Sequence, residues 1–159
     1  MVKFLERAFT GEEVQRAKEM IDSGYKHRLR VRGSPEFKCK VREALRLIKT
    51  AKYYEFLRTY IRQIVEIGGF SQLREADVAI WANKYVVDDP VDAAGFFVQK
   101  AHQMKEYLEG RLYYGGEAEK RAVEKRIEFL KELGRRSQSN DVRKKCEEYV
   151  KRWTETVFP

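Results

Sequence analysis

The chain is predicted to be all-α, a single domain of about six helices gathered around one long central helix. Apolar residues recur at three- and four-residue spacing nearly throughout its 159 residues, which is the pattern of helices with one buried face. No segment alternates apolar and polar residues long enough to define a half-buried strand. Ser-Pro, Asp-Pro and Gly-Gly pairs punctuate the chain where helices would begin and end.

Taken in order, Thr10 and Glu13 form a capping box for a helix with Val14, Ala17 and Ile21 inward, stopping at Gly24. Tyr25 to Gly33 reads YKHRLRVRG, where Leu29 and Val31 alternate with arginines and a short extended piece fits. Ser34 then supplies an N-cap and Pro35 the favoured first-turn proline. Helical spacing continues from there through Phe37, Val41, Ala44, Ile48, Leu57, Ile61 and Ile64 until Gly68 and Gly69. That stretch is the predicted central helix, bent near Thr50. Ser71 caps a further helix carrying Leu73, Ala76, Ile80 and Trp81, and Asp89 with Pro90 opens the next, with Ala94, Val98, Ala101, Met104, Leu108 and Leu112 on one face. Val123, Ile127, Leu130 and Leu133 define a helix closed by Gly134, and Ser139 opens a last helix over residues 139–158.

Composition narrows the function classes. A hydrophobic content of 43% and an aromatic content of 13% argue against a disordered chain. No apolar run approaches the roughly 20 residues needed to cross a bilayer, and MVKFLERAFTGEE lacks a signal-peptide pattern, so a cytoplasmic protein without a membrane partner is expected. Cys39 and Cys146 stand alone in charged helical surroundings and read as reduced thiols. The net charge of +8 makes polyphosphates the leading partner class. The basic residues cluster, first from Lys26 to Lys52 and again near Arg135. Lys26, His27, Arg28, Arg30, Arg32, Lys38, Arg135 and Arg136 are the candidate nucleic-acid contacts.

The most chemically specific stretch is EYLEGRLYYGG, Glu106 to Gly116. Gly110 stands one helical turn above Glu106 and leaves room beside its carboxylate for a backbone, a metal ion or a phosphate, while Gly115 and Gly116 can end the helix. In order, the pieces of this chain resemble the ribonuclease III catalytic domain over about residues 25–133. YKHRLR is similar to that family's entry segment, EALRLIKTAK to its acid-bearing helix, GGFSQLREADVAIWANKY to the following turn and helix, and EYLEGRLYYGG to its last acidic motif. The resemblance implies a homodimer that binds structured or double-stranded RNA. It also implies phosphodiester hydrolysis by Mg²⁺, with Mn²⁺ as a substitute, held by carboxylates on two helices.

Carried over residue by residue, Glu43 and Glu106 match two of those carboxylates and become the candidate catalytic and metal-binding residues. Arg46, Thr50 and Gln103 occupy the other acidic positions, with Asp77 or Glu75 as conceivable replacements. A domain of the same fold that binds RNA without cleaving it is the alternative, and a helical protein-interaction module is a third reading. His102 and Glu106 have the four-residue spacing of a metal pair, but a pair lacks the third ligand of a site. Tyr53, Tyr54, Tyr113 and Tyr114 could stack on bases or simply pack with their hydroxyls at the rim. No HExxH, phosphate-cradling glycine loop or GxSxG is present.

Overall fold

Four of the seven residues from Ile61 to Ile67 are β-branched, which disfavours a helix and suits a pleated, buried segment. In the computed structural model, which describes residues 11–157, that segment ends in a strand. The helices are α1 (Gly11–Asp22), α2 (Pro35–Thr50), α3 (Tyr54–Tyr60), α4 (Pro90–Leu108), α5 (Gly116–Arg136) and α6 (Asn140–Val157). The strands are β1 (Arg30–Arg32), β2 (Gln63–Ile67), β3 (Gln72–Arg74) and β4 (Ala79–Asn83), laid side by side in the order β1-β2-β4-β3. β1, β2 and β4 run parallel and β3 antiparallel to β4. The domain is therefore mixed α/β, which corrects the all-α expectation.

Two corrections have local physical causes. The predicted long helix over 35–67 stops at Thr50 because Lys52 adopts the left-handed conformation, with φ 66°. The Tyr53 N–H then donates to the Ile48 carbonyl and the Lys52 N–H to that of Lys49, which is the Schellman pattern that closes a helix. Glycine usually fills that position; a lysine there carries no sequence signal. The predicted helix after Ser71 is a hairpin. Leu73 and Ile80, spaced like helix neighbours, are instead cross-strand partners, and the Ser71 hydroxyl accepts from the Asn83 N–H at 2.8 Å rather than capping a helix.

Other expectations hold or shift slightly. Ser34 caps α2 by accepting from the Phe37 N–H, and Asp89 caps α4 with Pro90 in its first turn. α4 ends at Leu108 because Gly110, with φ 76°, lets the Arg111 N–H reach the Glu106 carbonyl. Leu112 is consequently exposed instead of continuing the buried face. Gly134 does not end α5; a Cβ there would lie 3.3 Å from the Cys146 Cβ, so the missing side chain lets α5 and α6 approach closely. Thr10 of the expected capping box lies outside the described residues.

The central helix is α4. Val91, Ala94, Phe97, Val98, Ala101 and Met104 are all buried on it, between α2 and α3 on one side and α5 on the other. Ile64, Ile80 and Ala82 of the sheet join the same core. Among the described residues no helix is long and apolar enough to cross a membrane.

Asp89 ties three elements together. Its carboxylate accepts from the Val91 N–H at 2.9 Å and from Lys145 of α6 at 2.9 Å, and it also takes the Tyr149 hydroxyl. Burial alone would raise its pKa, but the bonds from Tyr149, Lys145 and the backbone outweigh it and hold the carboxyl below its usual value. A depressed native pKa stabilises the fold above the unfolded value and loses that contribution as pH falls through the folded value. Asp89→Ala is expected to cost about 1–2 kcal/mol in urea denaturation near neutral pH, with the difference from the native chain shrinking below about pH 4.

Candidate functional site

Glu106 lies in the last turn of α4, with 1% of its surface exposed. A carboxylate so deep needs a partner, and α5 supplies one: Arg121 donates through Nε to Oε2 at 2.7 Å and through Nη2 to Oε1 at 3.4 Å. Arg111 adds a second cation at 3.5 Å. Arg121 also donates to the Leu112 carbonyl, so the group ties the turn after α4 to α5. His102 lies 3.7 Å from the same carboxylate. Burial lowers its pKa, with Lys125, Lys105 and Arg121 adding to the effect against the pull of Glu106. Neither of its ring nitrogens has a hydrogen-bond partner among the described residues.

Glu43 is elsewhere. It is exposed on α2 and lines a shallow cavity with Pro90, Val91 and Lys145, beside the first turn of α4. Glu106 is about 22 Å farther along that helix at roughly 1.5 Å per residue. The two carboxylates expected to share a metal thus sit at opposite ends of α4. Glu75 accepts the Tyr113 hydroxyl, and Asp77 sits in a tight turn before β4. Among the described residues, no three His, Cys, Asp or Glu side chains gather as a metal site requires. These residues therefore do not fit the Mg²⁺ site that the resemblance implied. Glu106→Gln is expected to cost about 2 kcal/mol, less than a fully enclosed ion pair because both arginines keep access to water. Thermal or urea unfolding of the variant measures it.

The basic tract forms a better-defined site. Arg28, Arg30 and Arg32 share one parity, so in an extended chain they project to one side while Val31 turns inward. Parallel pairing sets Arg30 opposite Gln63, and this brings in Arg62, thirty-two residues from Arg30 in sequence. Together with Tyr25 and His27 they line a cavity of about 400 Å³, and the described residues around it include four arginines and no carboxylate. Arg28, Arg30 and Arg32 are exposed and make no ion pair with any described residue.

Arg62 is fixed on three sides. Its N–H donates to the Val78 carbonyl at 2.8 Å, its carbonyl accepts from Arg30 at 3.0 Å, and its Nη2 donates to the Asp77 carbonyl at 2.9 Å. The two carbonyls that hold it come from a corner where Val78 adopts φ 53°, a costly conformation for a β-branched residue. His27 is held through its backbone, which donates to the Arg58 carbonyl and accepts from the Arg58 Nε, each at 2.9 Å. Burial first, then the charge of Arg62, lowers the His27 pKa, so its ring is neutral near pH 7.

The remaining candidates separate from this cavity. Lys26 is adjacent in sequence and Lys38 lies on α2, and neither lines it. Arg135 and Arg136 end α5 and pair with Glu132 at 2.7 and 3.4 Å, which leaves them partly neutralised. Tyr53 donates to Glu128 and Tyr113 to Glu75, so both hydroxyls are spent on packing contacts. Cys39 is exposed and Cys146 buried, and both thiols are free. Sequence reasoning missed Tyr25, Arg62 and Gln63 as site residues. The β-branched density of Ile61 to Ile67 was the available signal that Arg62 immediately precedes a strand beside the arginine tract.

Comparison with known protein families, with characterised proteins and with solved structures gives no match to this chain.

Proposed function

We propose that this chain is an RNA-binding domain whose contact surface is the arginine cavity at β1. The observation that carries the reading is four arginines lining one concavity with no acid among the described residues that line it. Positive charges left uncompensated on a folded surface repel one another, and a phosphate backbone relieves that repulsion while releasing its counterions. Arginine suits the role because its planar fork binds phosphate oxygens in pairs. The net charge of +8 extends the attraction beyond the cavity.

The reading is binding without hydrolysis at Glu106. Its carboxylate is committed to Arg121 and Arg111, and Glu43 lies too far along α4 to share a cation with it. Titration of labelled structured RNA at increasing salt tests the proposal. Affinity should fall steeply, with a slope of about −0.7 to −0.9 per phosphate contacted on a log–log plot. Affinity indifferent to salt would remove nucleic acid as the partner.

A further inference from the structure

The shape of the cavity goes further than its charge, and the following step rests on the RNA-binding reading. A duplex presents phosphates as a row on a convex surface, which a flat or grooved basic face matches. Here the four arginines instead line a cavity of about 400 Å³, the size class of a pocket for one small ligand rather than of a duplex footprint. Four cations are also more than a single phosphodiester neutralises. A terminal phosphate, with a charge near −1.5 to −2 at neutral pH and three acceptor oxygens, answers more of them.

The wall of the cavity fits a nucleotide attached to that phosphate. Tyr25 lines it with 42% of its surface exposed, and an exposed aromatic beside cations is the usual support for an unstacked base. Its ring meets that of His27 edge to face at 5.3 Å, which steadies both rings. Gln63 adds an amide able to donate or accept at a base edge. Arg62 stands as the pre-positioned cation, since both its backbone and its guanidinium are already held. We infer that the cavity receives the terminal phosphate and first nucleotide of an unpaired RNA strand.

The test is fluorescence anisotropy with one RNA sequence in five forms: single strand with a 5′-phosphate, single strand with a 3′-phosphate, single strand with hydroxyl ends, blunt hydroxyl-ended duplex, and the free mononucleotide as competitor. One phosphorylated single strand should bind about tenfold or more tighter than the hydroxyl-ended strand and the duplex. That preference should fall about fivefold in Arg30→Gln, whose exposed side chain makes no ion pair with a described residue, and weaken in Tyr25→Ala. Equal, salt-sensitive affinity for phosphorylated and hydroxyl-ended strands would overturn the inference while leaving RNA binding in place. Preference for the duplex would do the same. Tight binding of the mononucleotide with no gain from a strand would overturn the inference by making the site a small-molecule pocket. Failure of every RNA form to bind would remove both readings together.

Discussion

Changing Arg28, Arg30 and Arg32 together to glutamine is expected to weaken RNA binding by about 100-fold near physiological salt, as three charge-assisted contacts of roughly 1 kcal/mol each would require. The slope of log affinity against log salt should flatten by about 2, because fewer counterions are released. The three side chains are exposed and without ion pairs among the described residues, so helical content and melting temperature should stay near those of the native chain. The same substitution in Arg135 and Arg136, which removes two charges where the first removes three, serves as the control. Those residues already pair with Glu132, so their loss should lower affinity only a few-fold. Equal effects from the two variants would mean that net charge, and not the cavity, attracts RNA.

The largest expected effect on stability belongs to Arg126, on α5. Its side chain is 5% exposed and donates to Gln99 and Asp92 of α4, each at 2.8 Å. The guanidinium also lies 4.3 Å from the Trp153 ring of α6, so one residue joins three helices. Gly95 makes space for it, since a Cβ there would stand 3.0 Å from the Arg126 Nε. Arg126→Ala is expected to cost about 2–4 kcal/mol in urea denaturation, from the stranded amide of Gln99, the lost pair with the partly exposed Asp92 and the space left behind. Arg126→Met keeps much of the volume without stranding a charge of its own, and it should recover part of that loss. A cost below about 1 kcal/mol for the alanine variant would mean that the three helices hold together without this link.

The helical half of the fold is legible in the sequence because its signals are local. Ser34-Pro35 and Asp89-Pro90 start α2 and α4 as read, and the apolar stripes of α5 and α6 locate both helices. The sheet is legible only at β1, which falls inside the extended piece read from Tyr25 to Gly33. Its strands span only three to five residues, too few for alternation to register, and parallel strands covered by helices need not alternate at all. The stop of α2 is hidden because Lys52 adopts a conformation usually given to glycine.

The site divides the same way. Arg28, Arg30 and Arg32 stand out as an alternating tract, whereas Arg62 joins them only through the register of β1 on β2. Glu106 is recognisable as an enclosed acid on α4. Nothing in EYLEGRLYYGG announces that Arg121, fifteen residues later, neutralises it. A motif can thus place a carboxylate correctly while its chemistry is decided by an element outside the motif.

The most direct measurement is the map of backbone amide shifts as RNA is added to the isotope-labelled chain. Perturbations should concentrate on Tyr25 to Arg32 and on Arg62 and Gln63, with the α4 turn around Glu106 and the end of α5 near Arg135 left quiet. Shifts centred on Glu106, on Glu43 or on the α5–α6 face, with β1 unmoved, would contradict an RNA site at the arginine cavity.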